Sequence, residues 1–129
     1  MKLIPFLFYL TVSTVALIGC RAEFDEQNLS QLGTEKFTPQ AWKKASDHER
    51  GAMMLSFFKS YDINALTSSD VQRLLGESTR YYDYDDIPAY ALGGNVESIY
   101  GEGYMMVFIP DEHGTIVEHF VVPSIKAQP

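Results

Sequence analysis

The sequence predicts an α+β domain in which two helices are followed by the strands of a three- to four-stranded antiparallel sheet. Three observations carry this expectation. Two stretches in the first half show helical spacing behind capping residues, the spacing turns to alternation after Gly76, and two strongly apolar segments near the end flank a short turn. About 110 residues remain once the first 19 are set aside, which is enough for one core and too few for two.

The opening MKLIPFLFYLTVSTVALIGC is set aside because it has the layout of a secretory signal: one basic residue, Lys2, then an apolar run, then small residues. A spanning helix is the alternative, and the run just falls short of the roughly 20 apolar residues one needs. Both readings agree on export. Residues 20–37 are polar, and Phe24, Leu29 and Leu32 keep no convincing period, so this stretch reads as a tether, with ordering on a partner as the alternative.

The domain is expected over residues 38–124, with 125–129 a tail. Thr38 and Pro39 can start a turn that points Trp42 to the core. In SDHERGAMMLSFFKSY, Ser46 and Glu49 have the capping-box spacing, and Ala45, Ala52, Met53, Leu55, Phe57, Phe58 and Tyr61 give a broad apolar surface. Whether residues 39–61 form one helix or two is left open. The second helix is better bounded: Thr67 or Ser68 caps, Asp70 suits the positive end, Val71, Leu74 and Leu75 share a face, and Gly76 stops it.

Strands follow. TRYYDYDD alternates, with Tyr82 and Tyr84 on one face, and PAYALGG resumes after Pro88 as a strand that Gly93 and Gly94 end. GYMMVFIP is apolar on both faces, Tyr104, Met106 and Phe108 opposite Met105, Val107 and Ile109. DEHG makes the turn, and TIVEHFVV returns as the hairpin partner.

Leu17, Ile18, Gly19 and Cys20 match the lipobox of bacterial lipoprotein signal peptides. This resemblance implies a diacylglycerol on the Cys20 sulfur, cleavage between Gly19 and Cys20, and a fatty acid such as palmitate on the new amino end. Each buried methylene adds about 0.8 kcal/mol and one chain holds only marginally, so three would anchor firmly without spanning the membrane. Further along, RGAMMLSFF, DVQRLLGE and YMMVFIPDEHGTIVEHFVV resemble, over residues 50–122, the SmpA/OmlA type of small envelope lipoprotein. That is the fold of the small lipoprotein of the outer-membrane β-barrel assembly machinery, shared with β-lactamase-inhibitor-like domains. The family's fold is two helices on one face of a three-stranded antiparallel sheet. Arg21 stands where an inner-membrane retention aspartate would in enteric bacteria, so the resemblance favours the periplasmic leaflet of the outer membrane in a two-membrane source.

Charge and cysteine content narrow the function. The net charge of −7 becomes −8 when Lys2 is removed with the signal, which argues against nucleic acid and against an anionic lipid surface as partners. Cys20 is the single cysteine, so once lipidated it leaves no thiol for a disulfide or a metal. No cofactor is expected. His48, His113 and His119 lack close helical ligand spacing, and a metal on His113, His119 and Glu118 is a minor alternative to solvated histidines. Asp83, Asp85 and Asp86 resemble the start of a calcium loop, yet Ile87 and Pro88 stand where a glycine turn belongs; an acidic edge that discourages strand pairing needs less. No serine nucleophile motif is present, and no catalytic constellation emerges.

The remaining feature is aromatic. With both helices on one sheet face, the other needs a cover. An uncovered patch including Tyr81, Tyr90, Tyr100, Tyr104, Met106 and Phe108 would suit protein recognition, whereas the tether or an 85–102 insertion could equally fold over it. The expected function is a non-enzymatic, lipid-anchored envelope protein that binds another envelope protein, as in outer-membrane assembly or maintenance. The alternatives are a ligand or inhibitor module on the same fold and, third, an envelope hydrolase.

Overall fold

The computed structural model describes residues 24–127. The signal and lipidation expectations at Gly19 and Cys20 lie outside the described residues. The chain is α+β: helices cover one face of a three-stranded antiparallel sheet of order β1-β2-β3.

Residues 39–61 form two helices. Thr38 accepts a hydrogen bond from the Ala41 N–H and Pro39 opens α1 (Pro39–Lys44), which delivers Trp42 to the core. Ser46 and Glu49 close a reciprocal capping box at the start of α2 (Asp47–Ser60). This helix buries most of its central residues because it lies between the sheet and other elements: Met53, Met54, Leu55, Phe57 and Phe58 are all buried. Gly51 is the point of closest approach to the sheet, since a Cβ there would lie 2.3 Å from the Leu92 carbonyl oxygen. Thr67 and Asp70 form a second capping box on α3 (Ser68–Leu75), whose Val71, Leu74 and Leu75 face inward and whose C-cap is Gly76.

The strands are β1 (Ala89–Ser98), β2 (Gly101–Pro110) and β3 (Ile116–Val122). Register places Tyr90 opposite Met106 and Phe108 opposite His119 on the helix side, with Ala89 opposite Val107 and Val107 opposite Phe120 on the other. Gly93 and Gly94 do not end β1 as expected. They take φ of 74° and 108° inside it, and the strand passes them through register shifts and continues to Ser98. The Gly94 site is closed to a side chain by the Tyr104 ring, 2.7 Å from where a Cβ would stand.

Two further expectations are corrected, and one left open is decided. Residues 24–37 do not trail as a tether: Glu26–Leu32 form a 3-10 helix docked on α2, with Leu29 and Phe37 buried and the Glu35 N–H bonded to the Ala52 carbonyl. The alternating TRYYDYDD is not a strand. Asp83 adopts φ 57°, the Tyr84 N–H turns back to the Tyr82 carbonyl, and the reversal sends Tyr82 inward and Tyr84 outward. Of the two alternatives for the second sheet face, an uncovered patch or a cover from the 85–102 segment, the structure has the cover. Ile87, Tyr82 and Tyr100 pack over Ala89, Met105, Val107 and Phe120, leaving those four sheet residues at most 4% exposed. Residues 78–80 run beside β1, where Ser78 and Thr79 hydroxyls accept from the Ala89 and Ala91 N–H groups.

Candidate functional site

The six residues expected to form a recognition patch separate in space. Tyr90, Met106 and Phe108 are fully buried beneath the helices, so they cannot meet a partner. Alternation put them on the sheet face that α2 covers. Tyr90 stacks edge-on to Trp42 and Phe108, its hydroxyl donates to the Gly76 carbonyl at 2.8 Å, and burial pushes its pKa well above the usual phenol value. Tyr104 is half-buried against the same core.

Tyr81 and Tyr100 do come together at the surface. With Ser78, Thr79, Arg80 and Ile99 they line a cleft of about 600 Å³ between the loop after α3 and the β1–β2 turn. Arg80 ties the two sides, donating to the Tyr100 carbonyl at 2.5 Å and to the Glu102 carbonyl at 3.2 Å. Tyr82 backs the turn with its ring 5.2 Å from that of Tyr100. Above this frame the apolar surface is unusually open: Ile99 is 92% exposed, Tyr84 68% and Tyr81 59%. The Tyr81 hydroxyl donates to the Asp83 carbonyl, which holds its ring against the acidic loop.

Tyr84 and Ile99 escaped the sequence reading. Alternation puts Tyr84 on the same face as Tyr82, a pairing that the backbone at Asp83 breaks. Ile99 falls in the two-residue turn between β1 and β2, a turn hidden in the sequence because Gly93 and Gly94 read as the end of the strand.

No family model, curated protein or solved structure matches the chain. What it can do is therefore argued from its own side chains.

The three histidines do not assemble with one another. His113 sits in the turn after β2 with its side chain exposed beside Glu112, while His119 and Glu118, adjacent on β3, project to opposite faces. Among the described residues no three His, Cys, Asp or Glu side chains converge as a metal site. His119 lies against the rings of Phe24 and Phe58, with Nδ1 buried and unbonded. Burial lowers its pKa, and the carboxylates of Glu26 and Glu118 oppose that shift without cancelling it.

Two aspartates have lowered pKa values for structural reasons. Asp70 accepts the Thr67 N–H and pairs with Arg73, and Asp111 accepts the His113 and Thr115 N–H groups in the hairpin turn. Both carboxylates hold backbone, one at a helix start and one at a turn. Asp83, Asp85 and Asp86 remain exposed on the loop beside Tyr84.

Proposed function

We propose that this chain is a non-enzymatic, lipid-anchored envelope protein that holds another envelope protein through the surface formed by Tyr81, Tyr84 and Ile99. The single observation that carries the reading is Ile99, an isoleucine left 92% exposed at a turn fixed from below by Arg80 and Tyr100. A large apolar side chain left in water gains hydrophobic stabilisation when a partner covers it, and flanking tyrosines supply amphipathic contact area. Asp83, Asp85 and Asp86 border the tyrosines, so the partner surface is one that offers an apolar socket rimmed by Lys or Arg.

Anchoring is the second part of the proposal. It rests on the lipobox at residues 17–20, on the likeness to SmpA/OmlA-type lipoproteins over residues 50–122, and on an α+β domain of the expected kind. Among the described residues no helix is long and apolar enough to cross a membrane. The periplasmic leaflet of the outer membrane is the proposed location in a source with two membranes.

Site-specific photo-crosslinking tests the surface. A crosslinker at Ile99 should capture one defined partner, a crosslinker at exposed Ser69 on α3 should not, and the adduct should disappear when Tyr81 and Tyr84 both become Ser. An adduct that survives the double substitution, or that forms equally from Ser69, removes this surface from the proposal. Anchoring is read separately. Cys20→Ser should leave an uncleaved precursor that takes up no labelled fatty acid, and continued labelling overturns it.

A further inference from the structure

We propose that the pocket where α1, α2 and α3 meet binds a small anion carrying a carboxylate or phosphate group, with Arg50 as the central donor. The site shares no residue with the tyrosine cleft and does not depend on it. Its cavity, about 370 Å³, is at the small end of the range of ligand pockets.

Charge is the first argument. Lys43, Arg50 and Arg73 line the cavity with no acidic side chain among the lining residues, and they are three of only ten Lys and Arg in a chain of net charge −7. Helix electrostatics explain two of them, since Lys43 and Arg73 fall in the last turns of α1 and α3, where a cation complements the helix dipole. They do not explain Arg50. It sits one turn into α2, at the end where a cation is disfavoured, and it is partly buried there.

Geometry is the second argument. The Arg50 guanidinium lies 4.7 Å from the centre of the Trp42 ring, and its Nε donates to the Trp42 carbonyl at 2.9 Å. Stacking and one hydrogen bond fix the plane of the group, and its two terminal amino groups make no hydrogen bond among the described residues. A guanidinium oriented in advance with its fork unused matches the two oxygens of a carboxylate or phosphate. Lys43 has no ion pair or hydrogen bond among the described residues, whereas Arg73 is partly engaged by Asp70 at 2.9 Å. The indole of Trp42 and the side chain of Leu74 add apolar wall, so an anion with a small apolar body fits better than a bare one.

Trp42 is the chain's single tryptophan and lines this pocket, so its fluorescence is a probe placed at the site. The full chain in neutral detergent is titrated with inorganic phosphate and, separately, with cyclohexanecarboxylate, at constant ionic strength maintained with chloride. Saturable change with at least one probe is expected, and the probe that saturates assigns the head group. Arg50→Gln should weaken it about tenfold or more, the effect of losing a charge-assisted hydrogen bond. Lys43→Gln should weaken it about threefold, the effect of one exposed charge. Circular dichroism establishes folding, and Lys43→Gln decides the matter if Arg50→Gln does not fold. No saturable change with either probe up to tens of millimolar overturns the site, as does saturation undiminished in the deciding variant.

Discussion

The indole Nε1 of Trp42 donates to the carbonyl of Leu75 across 2.7 Å, so the side chain that joins α1 to the core also satisfies a backbone acceptor at the end of α3. Trp42→Phe keeps most of the apolar contact and removes the donor, leaving a buried carbonyl unpaired. The expected loss is about 1–3 kcal/mol. Each kcal/mol corresponds to roughly 4–8 °C in Tm for a domain of this size, so thermal unfolding resolves the effect. An unchanged Tm would show that water replaces the indole without cost.

Gly51 yields a prediction opposite in sign to helix propensity. Alanine is about 1 kcal/mol better than glycine inside a helix. A Cβ at Gly51 would stand 2.3 Å from the Leu92 carbonyl oxygen, which is backbone of β1 and cannot rotate away. Gly51→Ala should therefore destabilise by about 1–3 kcal/mol in urea unfolding, the usual range for overpacking. A gain in stability would mean that α2 can rise from the sheet freely.

Leu29 tests the docking of the segment before α1. It is fully buried in the main core although it comes from a 3-10 helix in a stretch that reads as polar. Leu29→Ala should cost about 2–5 kcal/mol, as for other buried leucines. Were the segment only loosely attached, denaturation midpoints of the variant and the parent would coincide.

His119 makes stability depend on pH below neutrality. Unfolded, it titrates near the ordinary histidine value of ~6.5; folded, burial against Phe24 and Phe58 holds its pKa lower, despite Glu26 and Glu118. The unfolded chain therefore binds more protons in the interval between the two values. The stabilisation is complete above the unfolded pKa and is lost as pH falls through the folded one. His119→Phe suits the aromatic surroundings and does not titrate, so its Tm should fall less than the parent's between about pH 7 and pH 5.5. Parallel decline in both proteins would assign the acid sensitivity to other groups.

Local chemistry was the legible part of this chain. Capping at Ser46, with Glu49 three residues on, and at Thr67 marks two helix starts with side chains that can only reach nearby backbone, and both are found. Alternation over residues 104–109 separated the two sheet faces correctly, with Met105, Val107 and Ile109 opposite Met106 and Phe108. It could not say which face the helices take, because both are apolar, and so Tyr90, Met106 and Phe108 were placed on a surface they do not reach. Tyr84 was lost to one backbone angle at Asp83, for which no hydrophobic pattern codes. The cationic pocket draws Lys43, Arg50 and Arg73 from three helices, and spacing along the chain does not bring them together.

The docked segment before α1 changes how far the domain can travel. Under the proposed lipid attachment, a free coil from Cys20 to Phe37 could extend about 60 Å, letting the domain swing through much of the space above a bilayer. Phe24 is instead already packed against Phe58 and His119, so only three residues of chain lie between Cys20 and the folded body, a leash of about 14 Å. A domain held that short skims the bilayer and explores mainly lateral positions and a narrow set of tilts. Its partners are then restricted by altitude, to proteins that present their binding surface within one domain's height of the lipid.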